Sequence, residues 1–535
     1  MRLFIAMRTP HLLMALALMG GCMAESPAPA DFVIRGGLVV DGTGEAPRVA
    51  DVAVRDGRIV AVGEDLAVDT AKEIDASGLA VSPGFIDVHT HSRSGIFHVP
   101  TADNYVRQGV TTVMEGPDGS SPLPIGRFLS RLDSLRPSVN IGSFAGQGSI
   151  RDAVMGSVDR APTQAEMDSM KMLMGQAMEE GAFGMSTGLF YVPGTFSSTE
   201  EVVALAKVAA RYGGSHTSHM RDEASAILES VAETIRIGEE GGLPTQITHH
   251  KVIGSTNWGI STETLRLVDE ARARGVDVTV DQYPYTASST SIQAALLPKW
   301  AAEGGGDALL ARLSDSTQRA RIKAETERII RDERGGGDLT RVQLASCAWD
   351  ASLAGKTLLD VTKGLGLSDS LSDGAEAVFW ILEQGGCQGI FHAIGEEDLI
   401  NIMHHPHAMI ASDGGVVPFG WESPHPRSYG TFTRVLGHYV RDLRVISLEE
   451  AVRKMSGLPA HRLGLGNRGM LADGYQADIV LFDPATVADK ATFEEPHQYS
   501  VGIHGVWVNG TQVFDGVDMT GARPGQVLYG PGKKF

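Results

Sequence analysis

The segment from Pro83 to His91 is an apolar run that ends in two histidines one residue apart. In a strand, side chains i and i+2 point to the same side, so His89 and His91 would face one point at the strand's carboxyl end. Converging imidazoles are typical of zinc and similar metal sites. The spacing therefore indicates a metallohydrolase, and the alternative is a chance His-x-His in a chain with 17 histidines.

Two carboxylates follow the next strand-like run, residues 109–114. Glu115 or Asp118 could ligate a metal ion. The alternative is a turn acid that caps a helix or binds its own backbone. The nearby histidines favour a ligand, and the choice between the two residues stays open from spacing alone.

Two further segments place histidines at the predicted ends of strands. His219 follows His216 by three residues, and His249 is followed by His250 and Lys251. An isolated histidine at such a position is more often a core or surface imidazole than a ligand. Two such segments in successive βα units favour metal ligation instead.

Asp413 ends one of the last apolar runs, directly before Gly414. A carboxylate there can accept the proton that leaves a nucleophilic water and then donate it to the leaving nitrogen. A metal would lower the pKa of that water and polarise the scissile carbonyl, so that the products are a carboxylate and an amine. The alternative is a structural aspartate in an Asp-Gly turn.

Lys251, Tyr283 and Arg427 also lie near predicted strand ends. Cations at that place in a chain of net charge −19 suggest capture of an anionic substrate group, and arginine can bind a carboxylate through two hydrogen bonds. Solvation at the surface or a salt bridge to a neighbouring acid is the alternative.

The elements that must position these residues are of two kinds. Short strands with turn signals occupy residues 31–80 and 465–535, and Asp56-Gly57 is one such signal, typical of a hairpin. We expect these two segments to join into one small β-sandwich. Between them, residues 81–464 alternate strand-like and helical runs, with helices at 163–180, 199–212 and 225–240. This pattern predicts an α/β fold, a (β/α)8 TIM-like barrel with an insertion near residues 298–337.

The N-terminus differs from the rest of the chain. Residues 1–22 combine a basic start, a short apolar stretch and small residues, which is typical of a signal peptide. Residues 18–22 resemble a lipobox ending at Cys22, with ordinary cleavage near Ala24 as the alternative, and residues 23–30 would be a tether. We therefore expect an exported protein, periplasmic or anchored to the membrane by a lipid on Cys22.

Composition limits the partners and the redox chemistry. The charge of −19 without clustered Lys and Arg argues against nucleic-acid binding and leaves small molecules as the expected partners. Apart from Cys22, the chain has only Cys347 and Cys387, too few for a disulfide framework. We therefore expect both to be buried small residues. Oligomeric state does not follow from the sequence.

At this point the chain, from about Asp31 to its end, resembles the amidohydrolase superfamily and, within it, the D-aminoacylase (N-acyl-D-amino-acid deacylase) family. The resemblance rests in part on Pro-Gly-Phe-Ile-Asp-Val-His-Thr-His, Gly-Val-Thr-Thr-Val, His-His-Lys and Ala-Ser-Asp-Gly, of which the first and Ser-Asp-Gly occur across many amidohydrolases. Ser-His-Met-Arg-Asp-Glu, Asp-Gln-Tyr-Pro-Tyr and His-Pro-Arg-Ser-Tyr-Gly-Thr-Phe are the more particular ones.

The resemblance implies roles for individual residues. His89 and His91 would bind one metal position, and His219 and His249 would bind the other. His249 is preferred over His250 because the family's ligand precedes its substrate-binding lysine by two residues.

It further implies that Asp413 is the general base and acid and also belongs to the metal set. Lys251, Tyr283 and Arg427 would bind the substrate's carboxylate and the carbonyl under attack. The cofactor would be zinc or a similar divalent metal, as one or two ions.

One departure from the family pattern concerns the bridging ligand. Better-known members carry a cysteine in Gly-Asn-Cys-Gly, whereas this chain has Gly116-Pro117-Asp118-Gly119. Asp118 therefore takes the cysteine position as a harder ligand, with Glu115 as the other candidate.

We expect hydrolysis of the amide bond of N-acyl-D-amino acids. The alternatives are a dipeptidase or cyclic-amide hydrolase of the same superfamily, and a non-catalytic envelope binding protein. Retention of Asp413 and four candidate histidine ligands argues against the non-catalytic alternative.

Overall fold

The computed structural model describes residue 1 and residues 29–70 and 72–534. The predicted signal peptide, Cys22 and most of the predicted tether lie outside these residues. Within them, no helix is both long and apolar enough to cross a membrane.

The strands of the described chain are short. In chain order they are β1 (Phe32–Val39), β2 (Arg48–Arg55), β3 (Arg58–Gly63), β4 (Glu73–Asp75), β5 (Ala80–Pro83), β6 (Phe85–Asp87), β7 (Val110–Glu115), β8 (Asn140–Ser143), β9 (Ala145–Gly146), β10 (Gly184–Gly188), β11 (Ser215–His219), β12 (Thr245–Ile247), β13 (Val278–Gln282), β14 (Ser288–Ser291), β15 (Val342–Ser346), β16 (Gln388–Phe391), β17 (Ala408–Ile410), β18 (Ile479–Phe482), β19 (Ile503–Val508) and β20 (Thr511–Phe514).

Helices separate most of the middle strands. They are α1 (Gly95–His98), α2 (Asp103–Val106), α3 (Ile125–Leu135), α4 (Gln147–Met155), α5 (Gln164–Glu180), α6 (Thr199–Arg211), α7 (Ile227–Gly241), α8 (Ser261–Ala273), α9 (Ile292–Leu296), α10 (Gly306–Ser314), α11 (Ser316–Asp332), α12 (Leu358–Gly364), α13 (Leu371–Glu383), α14 (Glu396–His404), α15 (Arg427–Arg434), α16 (Leu448–Met455) and α17 (Gly457–Leu463), with α15 continued by a π-helix over Val435–Asp442. Short 3-10 turns lie at Gly194–Phe196, Lys299–Ala302, Leu339–Arg341 and Ala351–Leu353.

The predicted helices at 163–180, 199–212 and 225–240 correspond to α5, α6 and α7, which confirms them within one or two residues at each end. The start of α5 has a local cause. Thr163 Oγ1 accepts a hydrogen bond from the backbone N of Glu166, and the Glu166 carboxylate accepts one from the backbone N of Thr163. This capping box satisfies two backbone N–H groups at the end of the helix.

The barrel strands are parallel and follow one another around a ring. Strand β6 pairs with β7 and β7 with β8, and the chain resumes one residue later as β9, which pairs with β10. The ring continues through β11, β12, β13 and β17. Counting β8 and β9 as one interrupted strand, this gives the eight positions of a (β/α)8 barrel.

The ends of the first and last barrel strands close the ring. A parallel bridge joins Thr90 to Gly414. The backbone N of Asp413 donates to His89 O at 3.0 Å, and the backbone N of His91 donates to Gly414 O at 2.7 Å. The same hydrogen bonds bring the predicted histidine pair and Asp413 together.

Strands from the two ends of the chain share one eight-stranded sheet, in the order β20-β19-β18-β5-β1-β2-β3, with β4 beside β1. The join is the antiparallel pairing of β5 with β18. The sheet curls over, since Phe32 of β1 stacks on Trp507 of β19 at 5.8 Å although their strands are three positions apart. This curled sheet is the predicted β-sandwich, and the predicted hairpin turn at Asp56 and Gly57 joins β2 to β3.

The C-terminal tail departs from the predicted β-domain. After β20, the chain leaves the sheet and runs along the barrel. Val527 forms a parallel bridge with Ile141 of β8, and the backbone N of Gly530 donates to Gly181 O at 2.9 Å.

The insertion in the barrel is longer than the predicted segment near 298–337. Between β13 and α14, strands β14, β16 and β15 form their own antiparallel sheet, and helices α9 to α13 pack with it around a separate apolar core. We call residues 288–391 the cap. The sequence pattern missed its second half because the helices α12 and α13 resemble barrel helices.

The prediction for the two cysteines is wrong in one respect. Cys347 and Cys387 are buried, as expected, but they form a disulfide that closes a separation of 40 residues. They follow β15 and precede β16 respectively, where Ser346 pairs with Gln388. Two cysteines are too few for a disulfide framework. This pair is nevertheless brought together by strand pairing in the cap, which the sequence pattern did not predict.

Candidate active site

Most predicted site residues lie at or just beyond the carboxyl ends of the barrel strands, where such barrels hold their active sites. His219 is the last residue of β11, and Arg427 is the first residue of α15. Three of the predicted site residues have backbones in the left-handed region: Asp118 with φ 54°, His249 with φ 36° and Asp413 with φ 51°. This conformation is uncommon for residues other than glycine and costs about 1 kcal/mol or more each. Strain held at three clustered residues is typical of a functional site.

The loop that carries Asp118 is fixed by contacts to β10. Ser186 Oγ donates to Gly116 O at 2.6 Å, and the backbone N of Gly119 donates to Ser186 Oγ at 3.2 Å. Gly188 permits this approach because a Cβ there would lie 2.1 Å from Asp118 O. The loop that carries Asp118 is therefore held in place by β10.

Asp118 lies between two pairs of histidines. Its Oδ2 is 3.4 Å from His89 Nε2 and 3.3 Å from His91 Nε2. Its Oδ1 is 3.4 Å from His249 Nε2 and 3.6 Å from His219 Nδ1. Each carboxylate oxygen thus faces one pair, the arrangement in which one residue can bridge two metal positions.

Asp413 faces the first pair only. Its Oδ1 lies 3.0 Å from His91 Nε2 and 3.4 Å from His89 Nε2. Its Oδ2 lies 2.8 Å from Nη1 of Arg427. Asp413 therefore touches both the histidine cluster and the predicted substrate-binding cation.

These side chains suit a divalent metal by their chemistry, and several of their polar atoms have no hydrogen-bond partner. Two sets of side chains each place one ligand atom per residue within 4.8 Å of the others. The first set is His89, His91, Asp118 and Asp413, and the second is Asp118, His219 and His249. Both ring nitrogens of His89 and of His219, and Oδ1 of Asp118, are buried without a hydrogen-bond partner. Buried polar atoms without partners are costly, and nitrogen and carboxylate ligands in these numbers are those that zinc prefers.

The electrostatics of the cluster keep its carboxylates in the ionised form that binds metal. Burial opposes protonation of His89, His91 and His249, but the nearby carboxylates raise the pKa of all three, to about 9 for His91, so a bound metal would displace protons from these imidazoles. Burial alone would raise the pKa of Asp118, but the imidazoles of His89 and His249 hold it well below the usual value. Burial opposes ionisation of Asp413 in the same way, and Arg427 with His89 holds its pKa well below normal. Burial lowers the pKa of His219 to about 4. At neutral pH the aspartates are therefore ionised and His219 is neutral.

Glu223 belongs to the site, although no role for it was predicted. Its Oε1 lies 2.6 Å from Nζ of Lys251 and 3.1 Å from Nδ1 of His249. The backbone of His249 is also fixed, since its N donates to Asp281 Oδ1 at 2.8 Å. Glu223 is thus placed to orient the His249 imidazole and to hold Lys251 beside it. Its position four residues after His219, within the Ser-His-Met-Arg-Asp-Glu motif, is the signal that could have identified it.

The three predicted substrate-binding residues lie together beside Asp413. Tyr283 is buried, its hydroxyl has no hydrogen-bond partner, and its ring centroid lies 4.7 Å from Cζ of Arg427 and 5.6 Å from Nζ of Lys251. Burial raises the pKa of Tyr283 well above its usual value, so its hydroxyl keeps its proton. Tyr283 is therefore a free donor next to two cations.

Three residues considered from the sequence are turned away from the cluster. Glu115 accepts hydrogen bonds from Thr90 Oγ1 at 2.9 Å and from the backbone N of Ser92, and so supports the loop that carries the histidine pair. His216 binds Thr187 and Thr245 through its two ring nitrogens, and His250 binds Thr264. All three are buried structural groups in this arrangement.

A cavity of about 1010 Å³ opens onto the cluster. Its barrel side includes His91, Asp118, Asp413 and Arg427, and the cap contributes Ser289, Thr290, Ser346 and Gln388. A second pocket of only about 10 Å³ shares Asp413 with this cavity and is also lined by His219, Lys251, Tyr283 and Arg334. A small molecule can therefore reach the histidines and Asp413 from outside, under a rim formed by the cap.

Comparison with known proteins identifies the same chemistry. The family model described as "Amidohydrolase family" matches residues 72–514. D-aminoacylase from Alcaligenes xylosoxydans xylosoxydans is 39% identical over 95% of this chain and 99% of its own length. N-acyl-D-aspartate deacylase from the same organism is 38% identical over 94% of this chain and 96% of its own length.

A solved structure agrees with the fold. The crystal structure of N-acyl-D-glutamate deacylase from Bordetella bronchiseptica, complexed with zinc and a phosphonate that mimics the tetrahedral intermediate, superposes with a TM-score of 0.80. It is 36% identical and covers 94% of this chain and 100% of that one. The chain therefore belongs to the amidohydrolase family and, within it, to the D-aminoacylase group.

Proposed function

We propose that this protein is a metal-dependent hydrolase that cleaves the amide bond of N-acyl-D-amino acids to give a carboxylate and a free D-amino acid. The observation that carries this proposal is the position of Asp118 between two histidine pairs, with Asp413 touching both that cluster and Arg427. The similarity to D-aminoacylase and to the N-acyl-D-aspartate deacylase supplies the substrate class.

Zinc is the proposed metal, as one or two ions. His89, His91 and Asp413 would hold one position, His219 and His249 the other, and Asp118 would be shared. Asp118 is preferred over Glu115 because Glu115 is engaged with Thr90 and Ser92. When bound, the metal would act as a Lewis acid that lowers the pKa of a coordinated water and polarises the acyl carbonyl.

Asp413 is proposed to move the proton. Its Oδ1 lies at the histidine cluster, where it can accept a proton from the attacking water. The low pKa of Asp413 keeps it ionised for this step, and the cost of burying its charge is offset by Arg427. The same carboxyl group then donates that proton to the departing nitrogen, so that a neutral amine leaves.

Arg427, Tyr283 and Lys251 are proposed to bind the substrate's α-carboxylate and the carbonyl under attack. The hydroxyl of Tyr283 is a free donor, and Arg427 can exchange part of its contact with Asp413 for a carboxylate. Lys251 remains paired with Glu223, so it contributes its charge from the wall of the site rather than as an unpaired cation.

The test is amine release from matched N-acetyl-D- and N-acetyl-L-amino acids by the purified chain supplied with zinc. Hydrolysis confined to the D series supports the proposal. Hydrolysis of the L series or of dipeptides would contradict the substrate assignment and favour a dipeptidase, and ring opening of a cyclic amide alone would favour a cyclic-amide hydrolase. No hydrolysis with zinc, cobalt or manganese would contradict the enzymatic proposal itself.

We further propose that the protein is exported and anchored to a membrane by a lipid on Cys22. The pattern of residues 1–22 supports export, and so does the Cys347–Cys387 disulfide, because such bonds persist in oxidising compartments. Fractionation of cells that produce the full chain tests this: a Cys22→Ala variant would be released from the membrane fraction. An unchanged membrane association would contradict the lipid anchor.

A further inference from the structure

A long connection of the β-domain reaches the catalytic face of the barrel. Strand β18 ends at Phe482 and β19 begins at Ile503, and the chain between them is not part of the sheet. We call residues 489–500 of this connection the arm. The carbonyl of Phe493 in the arm accepts a hydrogen bond from Nε2 of Gln343 at 3.2 Å. The β-domain therefore touches the cap, although the cap is an insertion in the barrel.

His497 of the arm binds the loop that leads from β17 to α15. Its Nδ1 accepts a hydrogen bond from the backbone N of Gly420 at 3.2 Å. Its Nε2 donates to the carbonyl oxygens of Trp421 at 2.9 Å and Glu422 at 3.2 Å. A backbone N–H can only donate and a carbonyl can only accept, so these contacts specify the neutral imidazole with its proton on Nε2. One ring thus binds three consecutive residues of the loop.

The backbone of this loop needs such support. Gly420 has φ 84° and Glu422 has φ 60°, and the left-handed region is strained for a residue that carries a side chain. Glu422 and Pro424 also line the large cavity. The hydrogen bonds from His497 therefore stabilise a strained segment of the cavity wall.

The same imidazole binds helix α15. Oη of Tyr429 donates to Nδ1 of His497 at 3.0 Å, and the two ring centroids are 5.4 Å apart. Oγ of Ser500, also in the arm, donates to the carbonyl of Tyr429 at 2.9 Å. Helix α15 begins at Arg427, whose Nη1 lies 2.8 Å from Oδ2 of Asp413. The arm thus holds the turn of α15 that presents Arg427 to the site.

We propose that His497 is a positioning residue for substrate binding. By holding residues 420–422 and Tyr429 together, it fixes both ends of the segment that carries Arg427 and so places this guanidinium for the α-carboxylate. The inference rests on the proposed function, in which Arg427 binds that carboxylate. His497 is not one of the described residues that line the large cavity, so it acts through Arg427 and not by touching substrate. The β-domain would then contribute to substrate binding.

Two variants separate hydrogen bonding from ring packing. His497→Phe keeps a ring beside Phe419 and Tyr429 but removes the four polar contacts of the imidazole. His497→Asn keeps an acceptor oxygen near the position of Nδ1 and an amide donor. We expect His497→Phe to raise KM for N-acetyl-D-leucine about 3- to 10-fold with kcat within about twofold, and His497→Asn to recover most of the loss. A purely structural role would lower the fraction of active enzyme, and so kcat, without changing KM.

A double variant tests whether His497 acts through Arg427. Once Arg427→Met has removed the guanidinium, adding His497→Phe should raise KM no further, so the double variant should match Arg427→Met within about twofold. Independent effects would multiply instead. Multiplied effects, or an unchanged KM in His497→Phe, would overturn the inference while the proposed function stands.

Hydrogen exchange supplies a readout that needs no activity. The Gly420 amide should exchange about 10-fold faster in His497→Phe than in the wild type, and close to the wild-type rate in His497→Asn. His504→Asn is the matched control, because His504 is an exposed histidine of β19 in the same domain, and it should change neither KM nor exchange. Equal exchange of Gly420 in His497→Phe and wild type would contradict the hold on the loop.

The outcomes also separate this inference from the proposed function. If the wild type hydrolyses no N-acyl-D-amino acid, the proposed function fails and the role of His497 in substrate binding fails with it. Should His497→Phe not fold, Tyr429→Phe removes one of the two donors to Nδ1 and replaces it in both experiments. Its KM should rise about 2- to 3-fold, and again no further in the Arg427→Met background.

Discussion

Asp413 and Arg427 form an ion pair inside the candidate site, with Oδ2 of Asp413 2.8 Å from Nη1 of Arg427. The other oxygen, Oδ1, lies 3.0 Å from Nε2 of His91. The two oxygens of one carboxylate are thus divided between the metal cluster and the cation proposed to bind substrate. The pKa of Asp413 therefore depends on what Arg427 binds. A substrate carboxylate that binds Arg427 weakens the pairing of Arg427 with Asp413, so Asp413 becomes a stronger base.

Replacing Asp413 tests the proton-transfer role directly. Asp413→Asn keeps an oxygen atom for the cluster but removes the proton acceptor, so kcat should fall by about 100- to 10,000-fold. Zinc content should be largely retained. The control is Asp473→Asn, which changes an exposed aspartate that also precedes a glycine. Turnover near the wild-type value in Asp413→Asn would contradict the assigned role.

Replacing Arg427 tests its link to Asp413. Arg427→Met should raise KM by about 10- to 100-fold through loss of a charge-assisted hydrogen bond. Arg427 holds the pKa of Asp413 low, so its loss raises that pKa, and the acid limb of the pH profile of kcat should move to higher pH. Arg427→Lys keeps the charge and should shift the limb less. An acid limb at the same pH in all three proteins would show that Arg427 does not tune Asp413.

Much of the fold could be predicted because it depends on local pattern. The alternation of strands and helices indicated the barrel, and the turn residues Asp56 and Gly57 indicated the hairpin between β2 and β3. The site followed from position, since His89, His219 and Asp413 all lie at or within three residues after the end of a barrel strand. Their convergence needs only that parallel strands present their carboxyl ends on one side.

What could not be predicted depends on contacts between distant parts of the chain. The Cys347–Cys387 disulfide requires that Ser346 and Gln388 pair across two strands of the cap. The role of Asp118 over Glu115 depends on backbone φ angles in one loop. Ser346 and Gln388 reach the cavity only because the cap folds over the barrel. The periodicity and spacing of residues along the sequence do not show these contacts between distant segments.

Asp118 should determine how many metal ions the protein holds. In Asp118→Asn only one side-chain atom can still act as an oxygen ligand. One histidine pair therefore loses its shared ligand, and the zinc content after reconstitution should fall to one ion per chain or less. Asp118→Cys supplies a softer thiolate and should retain zinc better than Asp118→Asn during dialysis. Glu115→Gln is the comparison, because Glu115 supports a loop instead of facing the cluster, and it should leave the zinc content unchanged. A loss of zinc in Glu115→Gln with full content in Asp118→Asn would reverse the assignment.

His216 should make the protein sensitive to acid. Burial lowers its folded-state pKa to about 3, whereas an unfolded histidine titrates near 6.5. Between these values the unfolded state binds a proton that the folded state does not, so stability falls as pH drops. From pH 6.5 to pH 5 this amounts to about 2 kcal/mol.

Urea unfolding of His216→Gln and wild type over this range checks the prediction. The free energy of unfolding should depend less steeply on pH in the variant by that amount. His404→Gln, which alters an exposed histidine, should follow the wild type. Parallel pH dependence in His216→Gln and wild type would contradict the assignment.

The disulfide should stabilise the cap and, through it, the rim of the cavity. It closes a separation of 40 residues, and a bond of this kind is worth about 4 kcal/mol in the chain-entropy account. Its two cysteines adjoin Ser346 and Gln388, which line the cavity, so loosening the cap should also raise KM. The double variant Cys347→Ser, Cys387→Ser should therefore melt at a lower temperature, and wild type with a reductant should match it. Adding the reductant to the double variant should change nothing. An oxidised wild type that melts no higher than the double variant would show that β15 and β16 hold together without the bond.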